Sequence, residues 1–345
     1  MPAQSNSADG TTATVPSASA ARSAGRLAAA SLVGAGSLAM ALSVVFPSAA
    51  SASTHPAAAQ PARVGCAVVP SKCGYPDGTN TGVPRGTTLR SVPGQVSHGR
   101  GWHFEAADDT VEVTGRGAVL SDLYIRCNLD ITASDVTVKD VRVVTSARFG
   151  ISLRHTTGVT IENSTVRGRN VGAGRVDYAI DDVYADSTGM TIKNNNISRD
   201  RTAVQVTTGL VSGNYIHDFG YIAGDHTNGV FDAGSTGYLT IRHNTILDNL
   251  SETDAISLDA SFSGSRVANK IVVNNLLGGG GYAIYGGDSL GNATSHIVIE
   301  RNRFSQLDYA KGGQYGAAGY YDSQSAGNRW TGNVWDSTGR AVTAP

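Results

Sequence analysis

Apolar and polar residues alternate in short runs from residue 104 onward, and no window carries the periodicity of a long amphipathic helix. One phrase keeps returning. IRHNTILDN, 241–249, sets an isoleucine, two polar residues, an asparagine, one further residue and a second isoleucine, and IKNNNISRD, GNYIHDF, VNNLLGG, ERNRFSQ and TGNVWDS repeat it with variations. Three residues past the first apolar position, successive copies carry Leu123, Val141, Ser164, Asn195, Asn214, Asn244, Asn275, Asn302 and Asn333, at intervals of 18 to 31 residues. A second phrase follows most copies: FGISL from 149, YAIDD from 178, TAVQV from 202, NGVFD from 228, DAISL from 254 and YAIYG from 282. Its small residue followed by alternation marks a short strand.

Such a strand cannot bury its apolar face alone. Stacked in register at about 4.8 Å, equivalent strands from successive repeats share one continuous core and pair their backbones. The recurring asparagine is read as a turn residue that tolerates left-handed geometry and bonds to its stacked copies. In these phrases residues 104–336 resemble the right-handed parallel β-helix proteins, a group rich in secreted polysaccharide lyases, glycoside hydrolases and uronan epimerases. The resemblance implies an all-β chain, a right-handed single-stranded parallel β-helix of about nine coils with an Asn ladder. It specifies fold far better than function. The histidine triplet GHG, the DPHD phrase and the calcium nonapeptide G-G-x-G-x-D are all missing.

The ends read differently. Arg22 and Arg26 precede the weakly apolar LAAASLVGAGSLAMALSVVF, and Ala50 and Ala52 form an A-x-A site, so residues 1–53 read as a secretory signal, with a membrane anchor as the alternative. Residues 54–65 form a small-residue linker, 66–103 an N-terminal capping segment and 337–345 a C-terminal tail. Tyr309, Tyr315, Tyr320, Tyr321, Trp330 and Trp335 are expected to close the far end, with GGQYGAAGYYD as a loop toward a groove in the alternative reading. Cys66 and Cys73 are close enough for a local disulfide, with two free thiols as the alternative, and Cys127 reads as a buried inert thiol. A formal net charge of −1 supplies no basic field for nucleic acid or membrane. The expected product is a secreted monomer, free of membrane once the signal is cleaved, whose partner is a polysaccharide.

Loop lengths point to the site. Between the two strand phrases the chain takes 14 steps from Val166 to Ile180 and 14 from Ile216 to Val230, but only 7 from Ile197 to Val204 between them. Two long loops, 167–178 and 217–228, therefore leave one corner about 10 Å apart, and the sequence predicts a trough walled by them. Past each inward apolar residue the next faces outward, giving the row Asp181, Gln205, Phe231, Ser257 and Tyr285. Asp177, Tyr178, Asp200, Arg201, Asp225, His226 and Asp254 lie just upstream.

Carboxylates facing each other across roughly 6.5–9.5 Å suit inverting glycoside hydrolysis. The catalytic candidates are Asp181, Asp200, Asp225 and His226, with Asp181–Asp225 or Asp200–Asp225 as the pair. Asp177, Tyr178, Arg201, Gln205, Phe231, Asp254 and Tyr285 are the substrate-binding candidates. Asp182 and Asp232 occupy inward positions, and an early end to the strand is expected to turn them outward. No metal site is assigned. A lyase acting on a uronate would instead use Arg201 as base or clamp, with Ca2+ held by Asp177, Asp181 and Asp225. A non-catalytic glycan-binding or cell-surface module is the third reading.

Overall fold

The computed structural model describes residues 65–345 except 260–265, 289, 290, 292 and 293; the predicted signal and almost all of the linker lie outside the described residues. Each repeat contributes three short strands to three sheets of ten, eleven and nine strands. In one coil these are Thr160–Glu162 in the nine-stranded back sheet, Thr165–Gly168 in the ten-stranded ladder sheet and Val176–Asp182 in the eleven-stranded groove sheet. Every pair between coils is parallel and in register, as in Thr160↔Thr191, Ile161↔Ile192 and Glu162↔Lys193. Complete triplets run from Val119–Ser121 to Gly316–Gly319; a further coil begins with Arg329–Thr331 and Val334–Trp335 but has no third strand among the described residues. The full coils are thus slightly fewer than the nine expected.

The core is the inward face of these strands. Ile161 and Ile192 of the back sheet, Val166 and Ile197 of the ladder sheet, and Ile180 and Val204 of the groove sheet are all buried. Each such side chain contributes about 1.5–3 kcal/mol of hydrophobic stabilisation. The small residue ahead of the groove-sheet strand also faces inward: a Cβ on Gly229 would meet the Ala255 carbonyl at 2.3 Å and Ile246 at 2.4 Å. That close approach favours glycine at 150 and 229, and the equivalent positions of other coils carry the next smallest residue, Ala179, Ala203, Ala255 and Ala283.

Asn195, Asn214, Asn244, Asn275, Asn302 and Asn333 stack along the edge between back and ladder sheets. Asn214 Nδ2 donates to Asn244 Oδ1 at 3.0 Å and to the Ile192 carbonyl at 3.0 Å, and its backbone N–H donates to the same Asn244 Oδ1 at 2.9 Å. Ser164 adds one oxygen, accepting from the Val141 N–H at 3.1 Å, but its hydroxyl donates to the Glu162 carbonyl, so the amide series ends there. The predicted backbone role shifts by one residue. Positive φ belongs to the position before each ladder residue, at Asn163, Asn194, Gly213, His243, Asn274 and Arg301. The ladder asparagine is therefore chosen for its buried amide, and its neighbour makes the turn.

Residues 65–88 do not cap the first coil. They run along the outside of the ladder sheet from its last coil toward its first: Ala67 N–H meets Asp336 Oδ2 at 2.9 Å, Tyr75 Oη donates to Asn274 Oδ1 at 3.1 Å, and Gly82 N–H meets the Asn194 carbonyl at 2.9 Å. Cys66, Ala67 and Tyr75 bury against Leu276 and Leu247, apolar residues on the outer face that need cover. A Cys66–Cys73 disulfide closes the start of this strap. Capping falls to Trp102–Glu105, antiparallel to Thr110–Val113, with Trp102 buried against the first coil. Cys127 is free and buried, and burial lifts its thiol to about 11, which makes it inert.

Candidate functional site

The outward row of the groove sheet is as predicted. Register pairs Asp181 with Gln205, Gln205 with Phe231, Phe231 with Ser257 and Ser257 with Tyr285. It also extends beyond the predicted row, from Asp181 to Ser152, Asp130 and Glu112. The signal that finds Asp130 is the stretch NLDI at 128, which carries the same alternation. Two adjoining pockets of about 540 and 440 Å³ follow this face. Tyr178, Arg201, Gln205, His226 and Phe231 line the first, and Tyr285, Tyr315 and Tyr320 the second. His226, Thr253, Ser257 and Asp259 line both. The tyrosines divide: Tyr315 and Tyr320 reach the groove, whereas Tyr321, Trp330 and Trp335 pack on the core at the far end.

The trough between the long loops does not form, because the loops clasp each other. Tyr221 N–H donates to the Val171 carbonyl at 2.7 Å, and Arg175 donates to Asp225 through Nε at 2.5 Å and through Nη2 at 2.6 Å. Arg175 also holds Asp177. An arginine spans two coils easily, and a two-pronged pair between largely buried groups outweighs keeping the loops apart. Asp225 is held below the usual carboxylate range, burial raising it but the Arg175 hydrogen bond and the Ile222 N–H pulling it down further. It is a structural anion. Asp177 and Asp225 also lose the calcium role, since a guanidinium occupies the space a cation would need.

Asp200 lies beneath the clasp with no exposure, and neither of its oxygens has a hydrogen-bond partner among the described residues. Burial, aided by nearby Asp248, pushes its pKa well up. It cannot reach a bound chain, so both predicted carboxylate pairs fall. Asp254, a predicted floor residue, faces the groove between Thr253 and Ser257 but is fully covered, with both oxygens unpartnered. Burial raises it well above the usual carboxylate range, against an opposing pull from the Ser257 hydroxyl. Asp182 and Asp232 do not turn outward either. Asp182 accepts from the Ser187 N–H at 3.1 Å, and Asp232 meets Lys270 Nζ at 3.0 Å with both side chains wholly buried. Hydrogen bonding and pairing offset the desolvation that an outward turn would have avoided.

Asp181 remains in the groove row. Burial lifts it to about 7, aided by Asp182 and opposed by Arg148, Arg154 and Arg201. Two rungs away, Asp130 Oδ1 accepts from Ser152 Oγ at 2.5 Å and from Arg154 Nε at 2.7 Å. Arg201 lies over the Tyr178 ring at 4.5 Å, and its buried Nε–H has no acceptor among the described residues. No group of three or more His, Cys, Asp or Glu placed to hold a metal occurs among the described residues.

Comparison with curated proteins and with solved structures returns no match for this chain. A family model described as "Right handed beta helix region" matches residues 127–342. That span covers more than half of the sequence and coincides with the stacked coils, so the chain belongs to the right-handed β-helix family.

Proposed function

We propose that this chain is an exported polysaccharide hydrolase that lays a glycan along the groove sheet and cleaves it between Asp181 and Asp130. The observation that supports this reading most is the environment of Asp181, a groove carboxyl lifted to about 7 and so half protonated at neutral pH. That is the property a general acid needs to protonate a leaving glycosidic oxygen. Asp130 sits two coils away in the same outward row, with Ser152 between. Two coils are roughly 9.6 Å, close to the carboxylate separation of an inverting enzyme. Asp130, oriented by Ser152 and Arg154, takes the proton of the attacking water. Gln205, Phe231, Tyr285 and Tyr178 supply amide and ring surface for the sugar chain. Export is supported by the Cys66–Cys73 disulfide, a bond favoured outside the cytosol.

Elimination is the second reading, favoured by the unmatched Nε–H of Arg201, which would neutralise a uronate carboxylate next to the proton removed. The test is a screen of the purified chain against neutral and acidic polysaccharides, alongside Asp181→Asn and Asp130→Asn. New reducing ends, lost by about 100-fold or more in Asp181→Asn, support hydrolysis. Growth of the unsaturated uronate absorbance supports elimination. Binding without bond cleavage by the unaltered chain leaves a glycan-binding module.

A further inference from the structure

The two pockets of the groove differ in charge. Arg201 lines the first and has no ion-pair partner among the described residues; Arg148 and Arg154 stand farther along the sheet, beside Asp181, and Arg154 is paired with Asp130. Arg201 is held over the Tyr178 ring at 4.5 Å while its side chain lines the pocket, and the acceptor that suits a guanidinium edge is a planar two-oxygen group. A sugar carboxylate has that shape. Glu252 lines the second pocket alone, Asp259 lines both, and the second has no lysine or arginine in its lining. Its rings form a partial cage: Tyr285 stacks on Tyr320 at 5.3 Å, and Tyr282 meets Tyr285 edge-on at 5.4 Å and Tyr315 at 5.8 Å. Ring faces beside carboxylates attract a cation, and in a glycan the cation is a free amine.

Resting on the glycan-groove reading, we infer that the groove is specific for a polysaccharide in which an anionic sugar and a free-amine sugar alternate, the carboxylate held at Arg201 and the amine in the tyrosine cage. Spacing agrees with one continuous chain filling both pockets. Gln205, Phe231, Ser257 and Tyr285 are successive register partners, so the strand of Arg201 and the tyrosine cage stand three coils apart, roughly 14 Å along the axis. The residues shared by the two pockets, His226 and Ser257 among them, keep the path open from one to the other.

The experiment measures binding of the full chain to three oligosaccharides of equal length: alternating glucuronic acid and glucosamine, the same chain N-acetylated, and a neutral β-glucan. The free-amine chain should bind tightest, with N-acetylation weakening it about tenfold and the neutral glucan binding weakest. Glu252→Gln should abolish the preference for the free amine and keep that for the uronate, and Arg201→Gln should do the reverse. Equal affinity for all three, or a neutral glucan that binds and is cleaved best, overturns the charge assignment while leaving the hydrolase reading intact. Binding to none of them, with no cleavage of any polysaccharide, overturns both.

Discussion

Two rows of buried polar side chains run along opposite edges of the ladder sheet, and they are satisfied to very different degrees. On the edge shared with the back sheet, each interior asparagine places both amide functions in hydrogen bonds of 2.9–3.0 Å, linking its own coil to those before and after. On the edge shared with the groove sheet, Asp200 and Asp254 make no hydrogen bond of good geometry among the described residues, and Asp248 is met there by the Thr227 hydroxyl and the Leu250 N–H. Both rows are equally dry. Burial of polar groups without matching is the exception in folded proteins, and it concentrates where something other than stability is served. A pocket lined by Arg242, His243, Asn274 and Arg301 lies outside the ladder edge, but the amides buried there are paired, whereas Asp254 belongs to a strand of the groove sheet.

The sharpest test of that contrast pairs one substitution from each row. Asn244→Ala strands the Asn214 N–H and one of the two Nδ2 hydrogens and removes the donor to the Val211 carbonyl, all in the dry interior. A loss of about 3–5 kcal/mol in urea unfolding is expected, since each stranded group forfeits its full desolvation penalty. Asp254→Asn replaces a carboxyl that makes no hydrogen bond of good geometry among the described residues by a group that cannot ionise, and stability should hold or rise. Equal losses would mean that the two rows do the same work.

The unpaired row also sets the pH response. Asp248 is raised to about 8 and Asp181 to about 7, in both cases chiefly by burial, and burial raises Asp200 and Asp254 too. In each the folded chain holds a proton that the unfolded chain releases near pH 4. Stability from these groups is therefore greatest at acidic pH and falls as pH rises toward 8, by up to about 1.4 kcal/mol per pH unit per group. Asp77, at about 2 through hydrogen bonds from Ser71 and Thr79 that outweigh burial, and Asp225 act oppositely, losing their contribution as pH drops below about 4. Melting temperature should peak near pH 4–5. Asp248→Asn should flatten the alkaline side, and a maximum at pH 8 would contradict the assignment.

The ladder is legible in the sequence because its signal is periodic: an amide at the same offset in consecutive repeats follows naturally from stacking and from little else, and the outward row from Asp181 to Tyr285 follows from strand alternation alone. The corner is not legible in that way. Loop length locates 167–178 and 217–228, but it carries no information on whether two loops meet, and the meeting is decided by Arg175, fifty positions from its partner. The strap is hidden for the same reason, since its hold on Asn274 and Asp336 depends on contacts between opposite ends of the chain. Asp232 stays inward, against the expectation, because Lys270 pairs with it from the back strand two coils on; the same Nζ also donates to the Thr207 and Gly237 carbonyls and to Ser235 Oγ.

The smallest effect asks what one rung of the ladder is worth when it is added instead of removed. Ser164 occupies the ladder position one coil before Asn195, is fully buried, and already accepts from the Val141 N–H while receiving nothing from a side chain. Ser164→Asn keeps an oxygen for Val141 and brings two new donors, aimed by analogy with Asn195 at the Val138 carbonyl and at Asn195 Oδ1. It gives up one bond, from Ser164 Oγ to the Glu162 carbonyl. Net hydrogen bonds contribute only about 0.5–1.5 kcal/mol each, so a gain of about 1 kcal/mol by urea unfolding is the expected result. A gain of that size, beside the larger loss in Asn244→Ala, shows an edge that stabilises with every rung. A loss shows instead that the amides merely spare one another the cost of being buried, and the ladder edge would then differ from the carboxylate corner only in having completed its pairs.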